Sequence, residues 1–184
     1  TGPGRVAGGE AGPDDARRER LAAHRPSRLK ALPAGFNDRV GATHVAGKYH
    51  LTDKPFLIEG AEQLLNLGTR LGKFWFMPHN PGNDYPFQSR WGRYAGFADL
   101  ARSEHFQALF ALPFRTVLLE AHAPAEHGWQ DGPRPAAFYE EVTRELYELT
   151  AHLYRTYRSR QMTFVIQHWE GDWLLRGRGG ERWN

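Results

Sequence analysis

The sequence predicts an α/β protein with the first four βα units of a TIM (β/α)8-type barrel. From Val40 onward, short apolar segments of strand character alternate with segments of helical periodicity, which indicates parallel strands joined by helical crossovers. The long polar loops follow the strands, whereas the turns from helix to strand are short. No glycine-rich phosphate loop follows the first strand, as a nucleotide-binding sheet would have. A small open sheet with helices on both faces is the alternative architecture.

Composition separates residues 1–38 from the rest of the chain. They are rich in Gly, Pro, Ala and Arg and have almost no large apolar side chains, so we expect a disordered leader. Before Val40 there are eight Lys or Arg residues against five Asp or Glu; of the totals of 24 basic and 21 acidic residues, sixteen of each then remain. The net charge of +3 therefore belongs to the leader and is too small to indicate nucleic-acid binding.

Composition also bears on other classes of protein. No apolar run approaches the roughly 20 residues that a transmembrane helix needs, and no pattern of a secretory signal peptide is visible. The chain has no cysteine, which excludes disulfides and thiolate zinc sites. These observations assign no compartment and leave the oligomeric state open.

Four strands and three helices are predicted in residues 40–184, the range of the partial barrel. The strands are expected at about residues 42–51, 73–77, 114–119 and 163–169, and the helices at 56–71, 98–112 and 136–158. The loop 78–97 is long for a compact domain, which is typical of functional loops. The sequence stops in a loop soon after the fourth strand, so we expect a fragment of a barrel of about 250 residues.

Polar and ionisable side chains follow the ends of all four predicted strands, while the strand bodies are almost wholly apolar. Active sites of α/β barrels lie at the carboxyl ends of the strands, so these side chains are the candidate site residues. The predicted substrate-binding residues are His50, His79, Asn80, His122, His168, Trp169 and Trp173, and the predicted catalytic residues are Glu170, Asp172 and Glu120.

The fourth strand carries a resemblance to a known family. Retaining (β/α)8 glycoside hydrolases have a fourth strand that ends in a glutamate, and the chain resembles them at Gln167-His168-Trp169-Glu170-Gly171-Asp172-Trp173. The resemblance implies that Glu170 is the general acid/base and that the nucleophile, a glutamate on the seventh strand of that family, lies beyond residue 184. Trp169 stands where the family has asparagine. The stretch also resembles a Phe-Val-Gln-Trp-Glu-Gly-Asp-Trp-like strand in a family of uncharacterised proteins.

Glycoside hydrolysis uses two carboxyl groups that flank the scissile bond. A carboxyl group beside Trp169 and Trp173 is expected to be partly desolvated, which favours the protonated form that a general acid needs. Asp172 shares a face with Glu170 in an extended segment, and Glu120 is a second candidate acid. Each has a structural alternative: Glu170 caps the following turn or pairs with an arginine, Asp172 holds the loop, and Glu120 forms a salt bridge.

Two other functions stay open at this point. The histidines at the strand ends, with Glu170 or Glu120, fit a metal-dependent barrel hydrolase, although no His-x-His pair marks the first strand. A barrel that binds a carbohydrate or a partner without turnover is the third possibility. The favoured prediction is a glycosidase-like hydrolase that acts on a carbohydrate or another small molecule. It is expected to need no cofactor and no metal, and to bind neither nucleic acid nor a membrane.

Overall fold

Regular structure within the described residues begins slightly before residue 40, where the barrel is predicted to start. A computed structural model describes residues 32–122 and 135–168. The chain divides into two compact units, Thr1–Ala34 and Gly35–Asn184, and the second unit holds every helix and strand of the described residues. A 3-10 turn at Phe36–Asp38 opens this unit. Of the leader predicted to be disordered, only residues 32–38 lie in the described part.

Helices and strands alternate along the second unit. The strands are β1 (Ala42–His44), β2 (Leu71–Phe76), β3 (Thr116–Ala121) and β4 (Thr163–His168). The helices are α1 (Phe56–Asn66), α2 (Pro81–Asp84), α3 (Phe97–Ala101), α4 (Glu104–Ala111) and α5 (Ala136–Tyr157). None of these helices is long and apolar enough to span a membrane.

The four strands form one parallel sheet in the order β1-β2-β3-β4. In one row across the sheet, Thr43 lies beside Lys73, which lies beside Leu118, which lies beside Val165. Each strand therefore pairs with the strand that precedes it in sequence, and each crossover advances the sheet by one position. The prediction of an α/β protein with a parallel sheet is confirmed.

A hydrophobic core lies between the helices and one face of the sheet. Side chains alternate between the two faces of a strand, and the strand residues in the core are Phe74, Phe76, Val117, Leu119 and Ala121, with Phe164 and Ile166 at its margin. The helices contribute Leu57, Ala61, Leu64, Leu100, Phe106, Leu109, Phe110, Leu149 and Leu153. The helices also contact one another, α1 with α4, and α3 with both α4 and α5.

The opposite face of the sheet carries both apolar and polar side chains and does not belong to this core. It carries Leu71, Trp75 and Leu118, which are half-buried, and Val165, which is 39% exposed. Large apolar side chains on both faces of a strand are typical of parallel sheets that are covered on both sides. The described residues form a hydrophobic core on one side only.

The first strand is shorter than predicted. It ends at His44 rather than near Leu51, because Ala46 adopts a φ of 48°, a left-handed conformation that turns the chain out of the sheet. The Ala46 amide donates to the carbonyl oxygen of Asp84 at 2.8 Å. This hydrogen bond ties the loop after β1 to α2.

The segment predicted as one helix at 98–112 consists of two helices. Ser103 separates them and caps α4, since its hydroxyl oxygen accepts a hydrogen bond from the Phe106 amide at 3.3 Å. At the start of α3, the Phe97 amide donates to Glu145 Oε2 of α5 at 2.8 Å. A carboxylate from a distant helix thus satisfies an amide that α3 leaves unpaired.

Candidate acid–base site

An ion pair lies on the face of the sheet that points away from the helices. Glu120 of β3 and Lys73 of β2 both project from this face, and Lys73 Nζ pairs with Glu120 Oε2. The Glu120 side chain is only 4% exposed, whereas that of Lys73 is 26% exposed. A buried carboxylate needs such a counter-charge, because its transfer out of water is otherwise strongly unfavourable.

A second buried carboxyl group, Asp84, lies near enough to Glu120 for their charges to interact. It is the last residue of α2, which follows β2, and it is 6% exposed. Within the described residues its Oδ2 atom has no hydrogen-bond partner. Burial raises the pKa of Asp84 to about 7, and the charge of Glu120 acts in the same direction. Near neutral pH the carboxyl of Asp84 therefore exists in both its protonated and its ionised form.

Tyr85 fixes the position of Asp84 from the inside of the protein. It is fully buried, and its hydroxyl lies 3.2 Å from the carbonyl oxygen of His44 and 3.1 Å from that of Trp75. Burial and the charges of Asp84 and Glu120 raise the pKa of Tyr85 well above its ordinary value. The phenol therefore stays neutral and acts as a hydrogen-bond donor that holds α2 against the ends of β1 and β2.

Two of the predicted histidines lie at the same edge of the sheet. His79 follows β2 and His122 follows β3, and their ring centroids are 5.9 Å apart with nearly perpendicular planes. His122 is buried, whereas His79 and Asn80 are exposed. The ends of β2 and β3 thus supply imidazole groups close in sequence to Glu120 and Asp84.

His50 lies in the loop after β1 and not at the end of a strand, because β1 ends at His44. Its Nδ1 atom lies 3.0 Å from the carbonyl oxygen of Thr52. Its ring centroid lies 5.3 Å from that of Phe87, in the loop that follows α2. Both of these contacts of His50 are made with loop residues.

The register of β4 distinguishes two of its polar residues. Gln167 lies beside Glu120 and therefore on the same face of the sheet, whereas His168 lies beside Ala121 on the helix-covered face. His168 is the last residue of β4 and is exposed. Of these two side chains, Gln167 is the one placed on the side of the carboxyl groups.

Four of the predicted site residues lie outside the described part of the chain. They are Trp169, Glu170, Asp172 and Trp173. The acid/base role predicted for Glu170 therefore stays a prediction. The described residues end at His168, which directly precedes Trp169 and belongs to β4, the strand next to β3.

Sequence reasoning did not identify Asp84, Lys73 or Gln167 as site residues. For Asp84 the available indication was the length of the loop 78–97, which marks functional segments but selects no residue within them. For Lys73 it was a single charge in an otherwise apolar strand, Lys73-Phe74-Trp75-Phe76-Met77. Gln167 could be selected only from the register, since a one-residue shift exchanges the two faces of a strand.

The described residues include no group of three or more His, Asp or Glu side chains placed to hold a metal ion. Comparison with known proteins finds no matching family model, no similar curated protein and no similar solved structure.

Proposed function

We propose that the protein is a hydrolase of the glycosidase type, which works by general acid–base catalysis at the carboxyl ends of its parallel strands. The observation that supports this most directly is the pair of buried carboxyl groups, Asp84 and Glu120. One of them has a pKa of about 7 and the other is ion-paired with Lys73. Two carboxyl groups that hold different protonation states at the same pH are what acid–base hydrolysis requires.

The roles follow from the protonation states. Asp84, with its proton, is the general acid and donates that proton to the leaving-group oxygen of the scissile bond. Glu120, held by Lys73, is the carboxylate that takes a proton from the attacking water. The products then carry the elements of one water molecule; Glu120 releases the proton that it took from the water and Asp84 regains one, so no net proton is consumed. Lys73 is the most exposed of the three side chains, so the substrate approaches from its side.

We also propose that the sheet is part of an eight-stranded barrel, with the carboxyl pair on the barrel rim. The sequential order of four parallel strands supports this, because a barrel is built by crossovers that each advance one position. The half-buried apolar side chains of Leu71, Trp75 and Leu118 on the uncovered face fit the interior of such a barrel. An open groove of about 500 Å³ between α5 and β4 fits the place of the next helix.

The apolar wall of that groove consists of Leu153, Tyr157, Phe164 and Ile166. In a barrel, the strand after β4 pairs with its free edge and the following crossover helix packs on this wall. In such a barrel the segment after β4 is expected at the same rim as Glu120, since β4 is the neighbour of β3. We therefore propose Glu170, two residues after the end of β4, as a further carboxyl group of the site.

The proposal is tested by hydrolysis of a panel of chromogenic aryl glycosides across pH 5–8. The protein is expected to cleave at least one of them. Asp84→Asn and Glu120→Gln are each expected to lower kcat by about 100-fold or more, which is the usual contribution of a general acid or base.

Matched controls are Asp53→Asn and Glu148→Gln, which remove exposed carboxyl groups remote in sequence from the pair. Both are expected to keep full activity. Glu170→Gln separates the two candidate acids: loss of activity in this variant alone would move the acid/base role from Asp84 to Glu170. Sugar binding without any cleavage would replace the proposal by a binding function.

A further inference from the structure

A cavity lies at the end of the sheet opposite to the carboxyl pair. It has a volume of about 620 Å³ and lies where the chain enters β2, β3 and β4. We call it the basic pocket; its polar lining consists of Arg70, Arg115, Arg160, Asn37, Thr69 and Gln161. Its apolar lining includes Leu65, Phe114 and Met162. The volume is within the range of small-molecule sites, roughly 300–1,000 Å³.

Two of the arginines lie side by side where the chain enters β2 and β3. Arg70 and Arg115 directly precede the paired residues Leu71 and Thr116, and the Arg115 amide donates to the Arg70 carbonyl oxygen at 2.8 Å. Like charges on adjacent strands repel each other. Among the described residues, neither arginine lies in a salt bridge with a carboxylate.

The side-chain hydrogen bonds of the pocket arginines go to neutral oxygen atoms and not to carboxylates. Arg115 Nη1 donates to the neutral amide oxygen of Gln161 at 2.7 Å. Arg160 donates to carbonyl oxygens at the end of α4, with Nη2 lying 3.0 Å from that of Ala111. Arg70 makes no side-chain hydrogen bond within the described residues. Asp38 lines an adjoining depression with Arg115 and Arg160. Among the described residues that line the pocket and this depression, the three arginines exceed the one acidic group by two charges.

We propose that the basic pocket binds a phosphorylated small molecule. The planar guanidinium groups of Arg70 and Arg115 supply paired N–H donors that match phosphate oxygens. The apolar wall with Leu65 and Met162 packs against the non-phosphate part of the ligand. This site is distinct from the carboxyl pair and does not depend on the proposed hydrolase activity.

The test is a titration of the full chain, labelled with nitrogen-15, with phenyl phosphate and with inorganic phosphate at constant ionic strength. Saturable binding is expected, with a Kd for phenyl phosphate at or below about 1 mM. Amide shifts should be confined to the pocket, at residues such as Thr69, Arg115 and Gln161. Phenyl phosphate should bind more tightly than inorganic phosphate because of the apolar wall; equal affinities would assign the site to free phosphate.

Arg70→Gln is expected to weaken binding of phenyl phosphate by about tenfold or more. Arg93→Gln, which removes the same charge from an exposed loop position, is the control and should bind as the parent protein does. Arg115→Lys keeps the positive charge but lacks the planar guanidinium group, so the variant should bind phenyl phosphate less tightly than the parent protein and fold normally. Titrations that do not saturate, or equal weakening by Arg70→Gln and Arg93→Gln, would overturn the proposal.

Discussion

At the scale of single residues, the two buried carboxyl groups differ in how their charge is accommodated. Glu120 is ion-paired with Lys73. Within the described ranges Asp84 is in no salt bridge, and its carboxyl instead binds a proton near neutral pH because it is buried and interacts with the charge of Glu120. The difference arises from the counter-charge of Lys73 at Glu120 and from the burial of Asp84. It has a direct consequence for how stability depends on pH.

The contribution of Asp84 to the free energy of unfolding is expected to fall as the pH rises from about 4 to about 7. The pKa of Asp84 is about 7 in the folded protein and near its ordinary 3.8 in the unfolded chain, so between these values the folded state binds the extra proton. The stability from this group is full below pH 4 and is lost as the pH rises through 7. The loss is at most about 4 kcal/mol. Urea unfolding at several pH values measures it.

The variant Asp84→Asn isolates this effect from other titrating groups. As the pH increases from 4 to 7, the unfolding free energy of the variant should increase relative to that of the parent protein. Asp53→Asn, at an exposed position, should show no such trend. A pH-independent difference for Asp84→Asn would show that Asp84 is ionised in the folded protein like an exposed aspartate.

A second residue-scale prediction concerns the approach of α1 to β1. A Cβ atom on Gly60 would lie 2.2 Å from Cε1 of His44, whose Nε2 is held 2.8 Å from the carbonyl oxygen of Phe56. Gly60→Ala is therefore expected to destabilise the protein by about 1–3 kcal/mol, despite the better helix propensity of alanine. Thermal unfolding measures the effect. Gly92→Ala, where the nearest atom is 3.6 Å away, should be nearly neutral.

At the scale of the elements, α5 is connected to the loop that follows β2. Glu145 accepts the hydrogen bond of the Phe97 amide, and Gly96 leaves room for this carboxylate, since a Cβ there would lie 2.2 Å from Glu145 Oε2. The start of α3 is thus fixed by a residue 48 positions later in the chain. This contact stabilises the end of the segment that carries Asp84.

Glu145→Ala is expected to lower the unfolding free energy by about 1–2 kcal/mol, because the Phe97 amide loses its acceptor. Hydrogen exchange of that amide should become faster in the variant than in the parent protein. Glu148→Ala, one turn further on the exposed side of α5, provides the control. Equal exchange rates in parent and Glu145→Ala would contradict the capping role.

At the scale of the whole molecule, much of the fold followed from the sequence. Alternating apolar and amphipathic segments predicted the parallel sheet because the local patterns are strong. The length of β1 and the break at Ser103 were missed, since a left-handed Ala46 and a single side-chain cap leave little trace in periodicity. Asp84 was missed because its burial depends on the packing of Tyr85 against two strands.

The free edge of β4 leads to a prediction for the 184-residue chain studied in isolation. Val165 is 39% exposed on a strand that has a neighbour on one side only among the described residues, and such edges promote association. The chain is expected to self-associate in sedimentation experiments. Val165→Lys should reduce this association, and Tyr139→Lys, at an exposed position of α5, should reduce it less. A monomeric parent chain would contradict this prediction and the barrel proposal.

The carboxyl pair is tested most directly by carbon-13 NMR titration of the side-chain carboxyl of Asp84 in the parent protein and in Glu120→Gln. We expect a pKa of about 7 in the parent and a lower pKa in the variant, because the neighbouring negative charge is removed. A pKa near 4 in the parent, or the same pKa in both proteins, would contradict the acid–base site proposed for this sheet edge.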